Sequence, residues 1–203
     1  MIVFEGIDGS GKSTQVRWLA EWLEGRGIQV HRTFEPTDYR IGSLLRRILT
    51  GKESADAATV AALFAADRLD HIPHPEYGMQ AILARGECVI CDRYLFSSYA
   101  YNSAETGLDY VADANRLARE TLRADLTLYL EQTPADALAR ILAKRSATDL
   151  YEKEETLAGV QARYEAAFER FGKGEHLVRI AAGKESDVVS QQVREAVEQI
   201  LDA

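Results

Sequence analysis

Residues 6–13 carry the clearest chemical pattern in the sequence. Gly6-Ile7-Asp8-Gly9-Ser10-Gly11-Lys12-Ser13 matches the phosphate-binding loop G-x-x-x-x-G-K-[ST], and it lies between a short apolar run and a helical pattern. The glycines let successive backbone N–H groups face a phosphate chain, and the following helix adds the positive end of its dipole. Lys12 is expected to reach the β- and γ-phosphate oxygens, and the Ser13 hydroxyl to bind Mg²⁺. This loop, with Thr14 after it, predicts a site for a nucleoside triphosphate, and kinases, GTPases, motors and transporter ATPases all carry such a loop.

Two polar residues, Asp92 and Arg93, follow the apolar run 87–91. If that run is a parallel strand, its end lies at the sheet edge where ligands bind. Asp92 can hold Mg²⁺ there opposite Ser13, although a lone Asp after a strand is commonly a helix cap. Arg93 can approach a transferring phosphoryl group, or it can serve in a structural ion pair. The nearby phosphate-binding loop favours the metal-binding interpretation of Asp92.

Phe64 and Arg68 are four residues apart in a helical pattern, so they lie one above the other on one helix face. An aromatic ring in such a place can stack on a base while the guanidinium donates to a carbonyl or approaches a phosphate. The alternative is a core phenylalanine beside a solvated arginine. The pair alone does not decide between the two interpretations.

Five short apolar runs alternate with segments of helical periodicity. The runs are residues 2–5, 28–34, 87–91, 126–130 and 176–180. The pattern predicts one α/β domain over residues 1–203, a doubly wound parallel sheet of about five strands with helices on both faces. This is the fold of P-loop nucleotide hydrolases. A polar segment near residues 144–155 is expected to form a loop or short lid.

The composition excludes several classes of protein. The chain has 203 residues, with 24 Lys and Arg against 32 Asp and Glu and a net charge of −8. This balance argues against broad nucleic-acid binding, which needs clustered basic residues. No apolar run approaches the roughly 18 residues that span a bilayer, and the loop at Gly6 leaves no room for a signal segment ahead of it. We therefore expect a cytoplasmic enzyme with no nucleic-acid or membrane partner.

Several conspicuous residues are expected to be structural. Cys88 and Cys91, the two cysteines of the chain, are three residues apart on a predicted strand. Their side chains therefore point to opposite faces, and buried packing is a better interpretation than a zinc or redox site. His71 and His74 flank Pro73 near the end of a predicted helix, so we expect them in a loop or at the surface.

Taken together, these motifs resemble the thymidylate kinase family, which phosphorylates dTMP to dTDP with ATP. The resemblance rests on the order and approximate spacing of five segments. They are Phe4 to Gln15, Glu35-Pro36, Phe64 to Arg68 with His71-Ile72, Asp92-Arg93-Tyr94, and Ser97 to Tyr101. These motifs cover roughly the first 105 residues. Beyond them the agreement is mainly in layout, with Tyr151-Glu152 and Arg163-Tyr164 as further matches.

The resemblance implies roles on the acceptor side. Phe64 would stack on thymine, Arg68 would donate to a thymine carbonyl, and Tyr101 would fill the space beside C2′ and disfavour ribonucleotides. Ser97 and Ser98 would line the base pocket. The resemblance also implies a homodimer, for which the alanine-rich helix at residues 57–66 would permit close approach of two chains.

The resemblance implies a second set of roles around the phosphates. Arg93 would bridge the donor and acceptor phosphates, and Asp8 would hold the deoxyribose 3′-hydroxyl or the acceptor side of the site. Asp92 and Ser13 would organise Mg²⁺, and Glu35 would belong to the substrate-binding set. The predicted catalytic residues are then Lys12, Arg93 and Asp8, with a cation from the lid.

This sequence departs from the family pattern at several positions. Some members carry a basic residue after the loop aspartate, where this chain has Gly9. Such a chain is similar to a second group in which the lid supplies the catalytic cation. Arg145 is the prediction here, with Lys144 and Arg140 as alternatives. The lid residues also fit a second interpretation, favourable charge at a helix end.

Two further departures concern the substrate side. The arginine that many relatives place beside Glu35-Pro36 is absent, and Arg40 or Arg46 can substitute for it. Asn102 stands where a glutamine commonly follows the tyrosine, which leaves one base contact open.

Two other functions compete with a dTMP kinase. The same fold can phosphorylate dUMP, UMP, CMP or a deoxynucleoside. A nucleotide-sensing switch or an inactive relative would bind nucleotide without rapid turnover. The retained Lys12, Ser13, Asp92 and Arg93 argue against the second alternative.

Overall fold

Five parallel strands form a single sheet in the order β2-β3-β1-β4-β5. The computed structural model describes residues 1–144 and 154–201 of the chain. The strands are β1 (Ile2–Glu5), β2 (Val30–Phe34), β3 (Cys88–Asp92), β4 (Leu126–Glu131) and β5 (Leu177–Ala181). The order reverses on either side of β1, which places the loop after β1 at a topological switch point. The predicted fold class is confirmed.

Helices cover both faces of this sheet. They are α1 (Lys12–Glu24), α2 (Arg40–Leu49), α3 (Ala57–His71), α4 (Met79–Ala84), α5 (Leu95–Thr106), α6 (Leu108–Ala114), α7 (Arg116–Thr121), α8 (Pro134–Lys144), α9 (Glu154–Phe171) and α10 (Ser186–Leu201). One buried apolar cluster includes residues of α1 and α10, and a second includes residues of α3, α5 and α9. Because β1, β3 and β4 are covered on both faces, they are apolar along their length rather than alternating.

The observed boundaries refine the predicted ones. β2 and β5 begin at Val30 and Leu177, one or two residues later than the sequence predicts. Helix α5 begins at Leu95, and Gly107 separates it from α6. The start of α5 has a physical cause, because the buried carboxylate of Glu5 accepts the backbone N–H of Tyr94, the residue before the helix.

The lid prediction, including Arg145, falls largely on residues 145–153, which lie outside the described residues. Within the two described ranges, no helix is both long enough and apolar enough to cross a bilayer.

Candidate functional site

The phosphate-binding loop connects β1 to α1 at the carboxyl edge of the sheet. Lys12 folds back over it, and its Nζ donates to the carbonyls of Gly6 at 2.9 Å and Ile7 at 3.0 Å. Gly9 has a φ of +79°, and a Cβ added there would lie 2.2 Å from the carbonyl oxygen of Ala137 in α8. A side chain at position 9 is therefore excluded, which explains why this chain has no basic residue directly after Asp8.

Burial and, to a smaller extent, the positive charge of Arg93 lower the pKa of Lys12 to about 8, although the nearby carboxylates oppose both effects. The Lys12 ammonium donates to two backbone carbonyls, and the carboxylates of Asp92, Asp8 and Glu5 lie near it. A phosphate chain in this loop would supply the negative charge that keeps the ammonium protonated.

Ser13 and Asp92 come together as the sequence predicts. The Ser13 hydroxyl donates to Asp92 Oδ2 at 3.0 Å. The other carboxylate oxygen, Asp92 Oδ1, is buried and has no hydrogen-bond partner among the described residues. Two hard oxygen donors and a free carboxylate lone pair fit Mg²⁺, which typically takes one or two protein oxygens with phosphate and water as its other ligands. The described part of the chain contains no cluster of three His, Cys, Asp or Glu side chains around a metal position.

Arg93 lies where the ends of β1 and β3 meet. Its Nη2 donates to Asp8 Oδ1 at 2.6 Å, and its Nη1 donates to the Gly6 carbonyl at 3.2 Å and Ser97 Oγ at 3.1 Å. Tyr101 contacts the same guanidinium, which lies 4.6 Å from the centre of the ring. The result is a fixed cation beside the phosphate-binding loop with one carboxylate partner at the cleft.

Asp8 completes this group. Burial alone would raise the pKa of the Asp8 carboxyl, but the charges of Arg93 and Lys12 outweigh it and lower the pKa to about 2. Tyr101 Oη donates to Asp8 Oδ2 at 3.0 Å and accepts the backbone N–H of Asp8 at 3.0 Å. The carboxylate is therefore ionised at neutral pH and held in one orientation by two side chains.

Arg68 is buried beneath the site rather than exposed in it. Its guanidinium donates four hydrogen bonds: Nε to Glu35 Oε2, Nη1 to Ser98 Oγ and Asn115 Oδ1, and Nη2 to the Tyr94 carbonyl. Nη2 also forms an ion pair with Glu35 Oε2 at 2.6 Å. A contact between Arg68 and a base carbonyl, as the resemblance implies, would therefore require exchange of one of these partners.

The prediction that His71 lies in a loop or at the surface is wrong. His71 is the last residue of α3 and is 1% exposed. Its Nδ1 lies 3.1 Å from Glu35 Oε1, and its Nε2 lies 2.8 Å from Thr33 Oγ1. The ring reaches inward because α3 continues past Arg68 and carries His71 onto the same buried face. Glu35 is thus held between Arg68 and His71.

Residues predicted around the base lie on α3 and α5, which pack against each other. Phe64 is half-buried, one helical turn before Arg68. The Ser98 hydroxyl accepts a hydrogen bond from Arg68 Nη1 at 3.0 Å. Asn102, one turn after Ser98, is 6% exposed, and neither of its amide atoms has a partner among the described residues. An amide with a free donor and a free acceptor can pair with the edge of a pyrimidine base.

A cleft of about 1060 Å³ opens along the phosphate-binding loop. Most of the predicted phosphate-side residues line it: Asp8, Gly9, Ser10, Gly11, Lys12, Ser13, Thr14, Glu35, Asp92 and Arg93. Gly6 and Ile7, the first two residues of the loop, do not line the cleft. Among the described residues, Phe64, Arg68, Ser97, Ser98 and Tyr101 lie outside its lining, on the α3–α5 side of Arg93.

Two of the alternative cations line this cleft as well. Arg46 Nη1 donates to the Pro36 carbonyl at 3.0 Å, and its Nη2 donates to Thr37 and Asp38. Arg140 Nη2 donates to the Ala182 carbonyl at 3.1 Å, at the opposite end of the cleft. Arg40 is exposed and does not belong to the lining.

The sequence interpretation missed two buried carboxylates. Glu5 ends β1 and is 0% exposed, and Asp67 accepts the backbone N–H and hydroxyl of Thr37 at 2.7 and 2.6 Å. Both acids directly precede residues that the sequence analysis predicts in the site: Glu5 precedes the phosphate-binding loop, and Asp67 precedes Arg68. An acid in an otherwise buried segment requires partners, and those partners are site residues here.

Comparison with known proteins agrees with this geometry. The family model described as thymidylate kinase matches residues 4–193. The chain is 39% identical to a probable thymidylate kinase of Pyrococcus horikoshii over 84% of this chain and 83% of the relative. It is 35% identical to a probable thymidylate kinase of Thermococcus kodakarensis over 98% of each chain, and 34% identical to the thymidylate kinase of Acaryochloris marina over 98% of this chain and 96% of the relative.

Proposed function

The chain belongs to the thymidylate kinase family and is a dTMP kinase, and we propose that the Arg93 guanidinium bridges the donor and acceptor phosphates while the γ-phosphoryl group passes from ATP to dTMP. The observation that carries this proposal is the position of the Arg93 guanidinium. It lies beside the phosphate-binding loop and has Asp8 as a partner that can be exchanged for phosphate oxygens. Phosphoryl transfer depends on positioning and on neutralising negative charge, which are what this arrangement supplies.

On the donor side, the backbone N–H groups of the loop and the ammonium of Lys12 would hold the triphosphate. Lys12 would exchange the Gly6 and Ile7 carbonyls for β- and γ-phosphate oxygens. Ser13 and Asp92 would hold Mg²⁺, which neutralises phosphate charge when bound. Support for this metal site comes from the unpartnered Asp92 Oδ1 and from its hydroxyl neighbour.

On the acceptor side, the base would lie between α3 and α5. Phe64 would stack on it, and the free amide of Asn102 and the hydroxyl of Ser98 are the polar groups that can read its edge. Tyr101 is fixed by two hydrogen bonds to Asp8, so its ring presents a rigid wall beside the sugar. A rigid ring in that place would exclude a 2′-hydroxyl.

The experiment that tests the function measures ADP production from Mg-ATP with dTMP, dUMP, UMP, CMP and AMP, and without acceptor. We expect rapid turnover with dTMP. For the metal site, Asp92→Asn should raise the Mg²⁺ concentration needed for half-maximal turnover by about 10- to 100-fold. Asp113→Asn is the matched control, because Asp113 is an exposed residue of α6. Equal Mg²⁺ dependence in the two variants would contradict the metal site.

The role of Tyr101 has a separate test. The acceptors 5-methyluridine monophosphate and dTMP differ only in the 2′-hydroxyl. Tyr101→Ala should raise the relative kcat/KM for the ribonucleotide, since the ring no longer fills that space. If the ratio of the two kcat/KM values stays the same, Tyr101 does not discriminate the sugar.

Three further features remain part of this proposal. Arg145 is proposed as the lid cation. The protein is proposed to be a cytoplasmic homodimer in which the half-exposed side of α2 and α3 lies at the interface. Sedimentation of the protein with and without dTMP tests the dimer, and a substitution of Ala62, which is exposed on α3, by Arg should shift the equilibrium to monomer.

A further inference from the structure

Glu5 is a fully buried carboxylate that the reaction itself does not use. It ends β1 directly before the phosphate-binding loop, yet its partners come from α5 and α9. Oε1 accepts the backbone N–H of Tyr94 at 3.0 Å and of Ser97 at 3.1 Å. Oε2 accepts the hydroxyls of Ser97 and Tyr164. Four hydrogen bonds therefore converge on one carboxylate that is 0% exposed.

These partners surround Arg93. Tyr94 is the next residue in the chain, and Ser97 Oγ accepts a hydrogen bond from Arg93 Nη1 at 3.1 Å. Arg93 also has a φ of +73°, in the left-handed region that costs a residue with a Cβ of order 1 kcal/mol or more. Such a backbone persists only when its surroundings hold it. Glu5 Oε1 does so by fixing the N–H of Tyr94, and the first turn of α5 after it.

The helix that follows Arg93 is not capped by its own N-cap residue, because the Tyr94 side chain accepts none of the free N–H groups at the helix start. Glu5 of β1 serves as the cap instead, because its carboxylate accepts the backbone N–H of Tyr94, the N-cap residue, and of Ser97, the third residue of the helix. The strand that leads into the phosphate-binding loop is thus connected directly to the helix that leads away from Arg93.

We propose that Glu5 is a positioning residue that holds Arg93 against the transferring phosphoryl group, through Ser97 and the N-terminus of α5. The inference rests on the role proposed for Arg93. In this arrangement Asp8 contacts the guanidinium from the cleft, whereas Ser97 contacts it from the core and is itself held by Glu5. When phosphate oxygens replace Asp8, Ser97 and Glu5 keep the guanidinium in place.

Burial raises the pKa of Glu5, while the Ser97 and Tyr164 hydroxyls and Arg93 oppose the rise. The positioning role does not depend on its charge, because Oε1 accepts both N–H groups whether or not Oε2 carries a proton. A glutamine at this position keeps that acceptor, whereas an alanine removes it and leaves the two N–H groups without a partner.

The test is a double-mutant cycle between Ser97→Ala and Arg93→Ala, with Glu5→Gln and Glu5→Ala measured beside it. Ser97→Ala removes the hydroxyl between Glu5 and Arg93 without opening a large cavity. We expect it to lower kcat by about 10- to 100-fold in the wild-type background, with the KM for Mg-ATP little changed. In the Arg93→Ala background it should have no further effect, because it acts through the arginine. Glu5→Gln should retain more kcat than Glu5→Ala.

Ser103→Ala is the matched control. It makes the same substitution in the same helix, and the Ser103 hydroxyl donates only to the Tyr99 carbonyl, within α5. It should leave kcat unchanged. If Ser97→Ala lowers kcat by the same factor with and without Arg93, or if it only lowers the melting temperature, the positioning role of Glu5 is overturned. If Arg93→Ala itself retains full kcat, the role proposed for Arg93 fails instead.

Discussion

Arg93 and Arg68 are two arginines, each paired with a carboxylate, in very different surroundings. The Arg93 side chain is 17% exposed and its partner Asp8 is 36% exposed, so this pair borders the cleft. The Arg68 side chain is 1% exposed and its partner Glu35 is 2% exposed. Arg68 donates four hydrogen bonds to buried protein acceptors, whereas Arg93 has a carboxylate partner that borders the cleft.

This difference separates a cation that can exchange partners from one that is committed to the fold. A buried ion pair with all hydrogen bonds satisfied is costly to break, so the Arg68 side chain fixes the relative positions of α3, β2 and α5. A partly exposed pair exchanges a carboxylate for a phosphate at much lower cost. We therefore expect substitution of Arg93 to remove activity and substitution of Arg68 to remove stability.

The largest effect is expected for Arg93→Ala. Removal of a preorganised cation from the transferring phosphoryl group should lower kcat by about 10³-fold. The melting temperature should change little, since Asp8 can turn to solvent. Steady-state kinetics and thermal unfolding on the same preparation measure both quantities. Arg93→Lys is the control for charge without the planar fork. A large loss of stability with intact kcat in the folded protein would reverse the comparison.

The second effect is expected for Arg68→Met, which keeps the volume of the side chain and removes the charge. Glu35 is then buried without its cation, and the free energy of unfolding should fall by about 4 kcal/mol. For a chain of this size that corresponds to a melting temperature lower by about 10 °C. Urea unfolding checks the value. An unchanged midpoint with a raised KM for dTMP would show that Arg68 serves the base after all.

Substitution of the two carboxylate partners, Glu35 and Asp8, tests the same difference between the buried pair and the partly exposed pair. Glu35→Gln should lower the free energy of unfolding by about 3 kcal/mol, because it leaves a buried guanidinium without its counter-ion. Asp8→Asn should lower it by less than about 1 kcal/mol, because solvent screens a partly exposed pair. Denaturant unfolding of both variants at pH 7 measures the difference. Equal losses would contradict the distinction between the pairs.

The pH dependence of Asp8 follows from the same pair. Its pKa is lowered from 3.8 to about 2 in the folded protein. A depressed carboxyl pKa stabilises the fold above its unfolded value, and this contribution is lost as the pH falls toward 2. The Asp8→Asn variant should therefore show a weaker loss of stability between pH 4 and pH 2 than the parent.

Much of the fold follows from the sequence because its strongest signals are local. The strands are apolar runs since both faces of the inner strands are covered, and the phosphate-binding loop is a contiguous motif. The meeting of Ser13 with Asp92 was also predictable, because parallel strands bring their carboxyl ends to one edge of the sheet.

The buried polar network was not predictable in the same way. Glu5 and Ser97 are 92 residues apart, and no local sequence pattern around either residue indicates that their side chains meet. Pro73 after His71 predicts a loop or surface position for the histidine, yet Glu35 and Thr33 provide it with buried partners. Hydrogen bonds of this kind depend on the relative placement of whole elements, which hydrophobic periodicity does not specify.

Lys12 shares burial with Arg68 and a place beside the phosphates with Arg93, and it adds a pH dependence that neither arginine has. It is buried like Arg68 but its ammonium contacts only backbone carbonyls, and burial with the charge of Arg93 lowers its pKa to about 8. The kcat/KM for ATP reports ionisation in the free enzyme, so it should fall about tenfold between pH 8 and pH 9 or slightly above. Bound phosphates would raise that pKa, and kcat should therefore stay level to higher pH.

Stability should change in the opposite direction over the same range. The folded protein binds the Lys12 proton less tightly than the unfolded chain, whose pKa is near 10.5, so charged Lys12 disfavours the fold at neutral pH. This penalty is fully present below about pH 8 and is relieved as the pH rises toward 10.5. In the Lys12→Arg variant the side chain does not titrate in this range. Whatever activity the variant retains, neither its kcat/KM for ATP nor its stability should show the change attributed to Lys12. A flat profile of kcat/KM for ATP to pH 10 would show that Lys12 is a surface-like cation rather than a buried one.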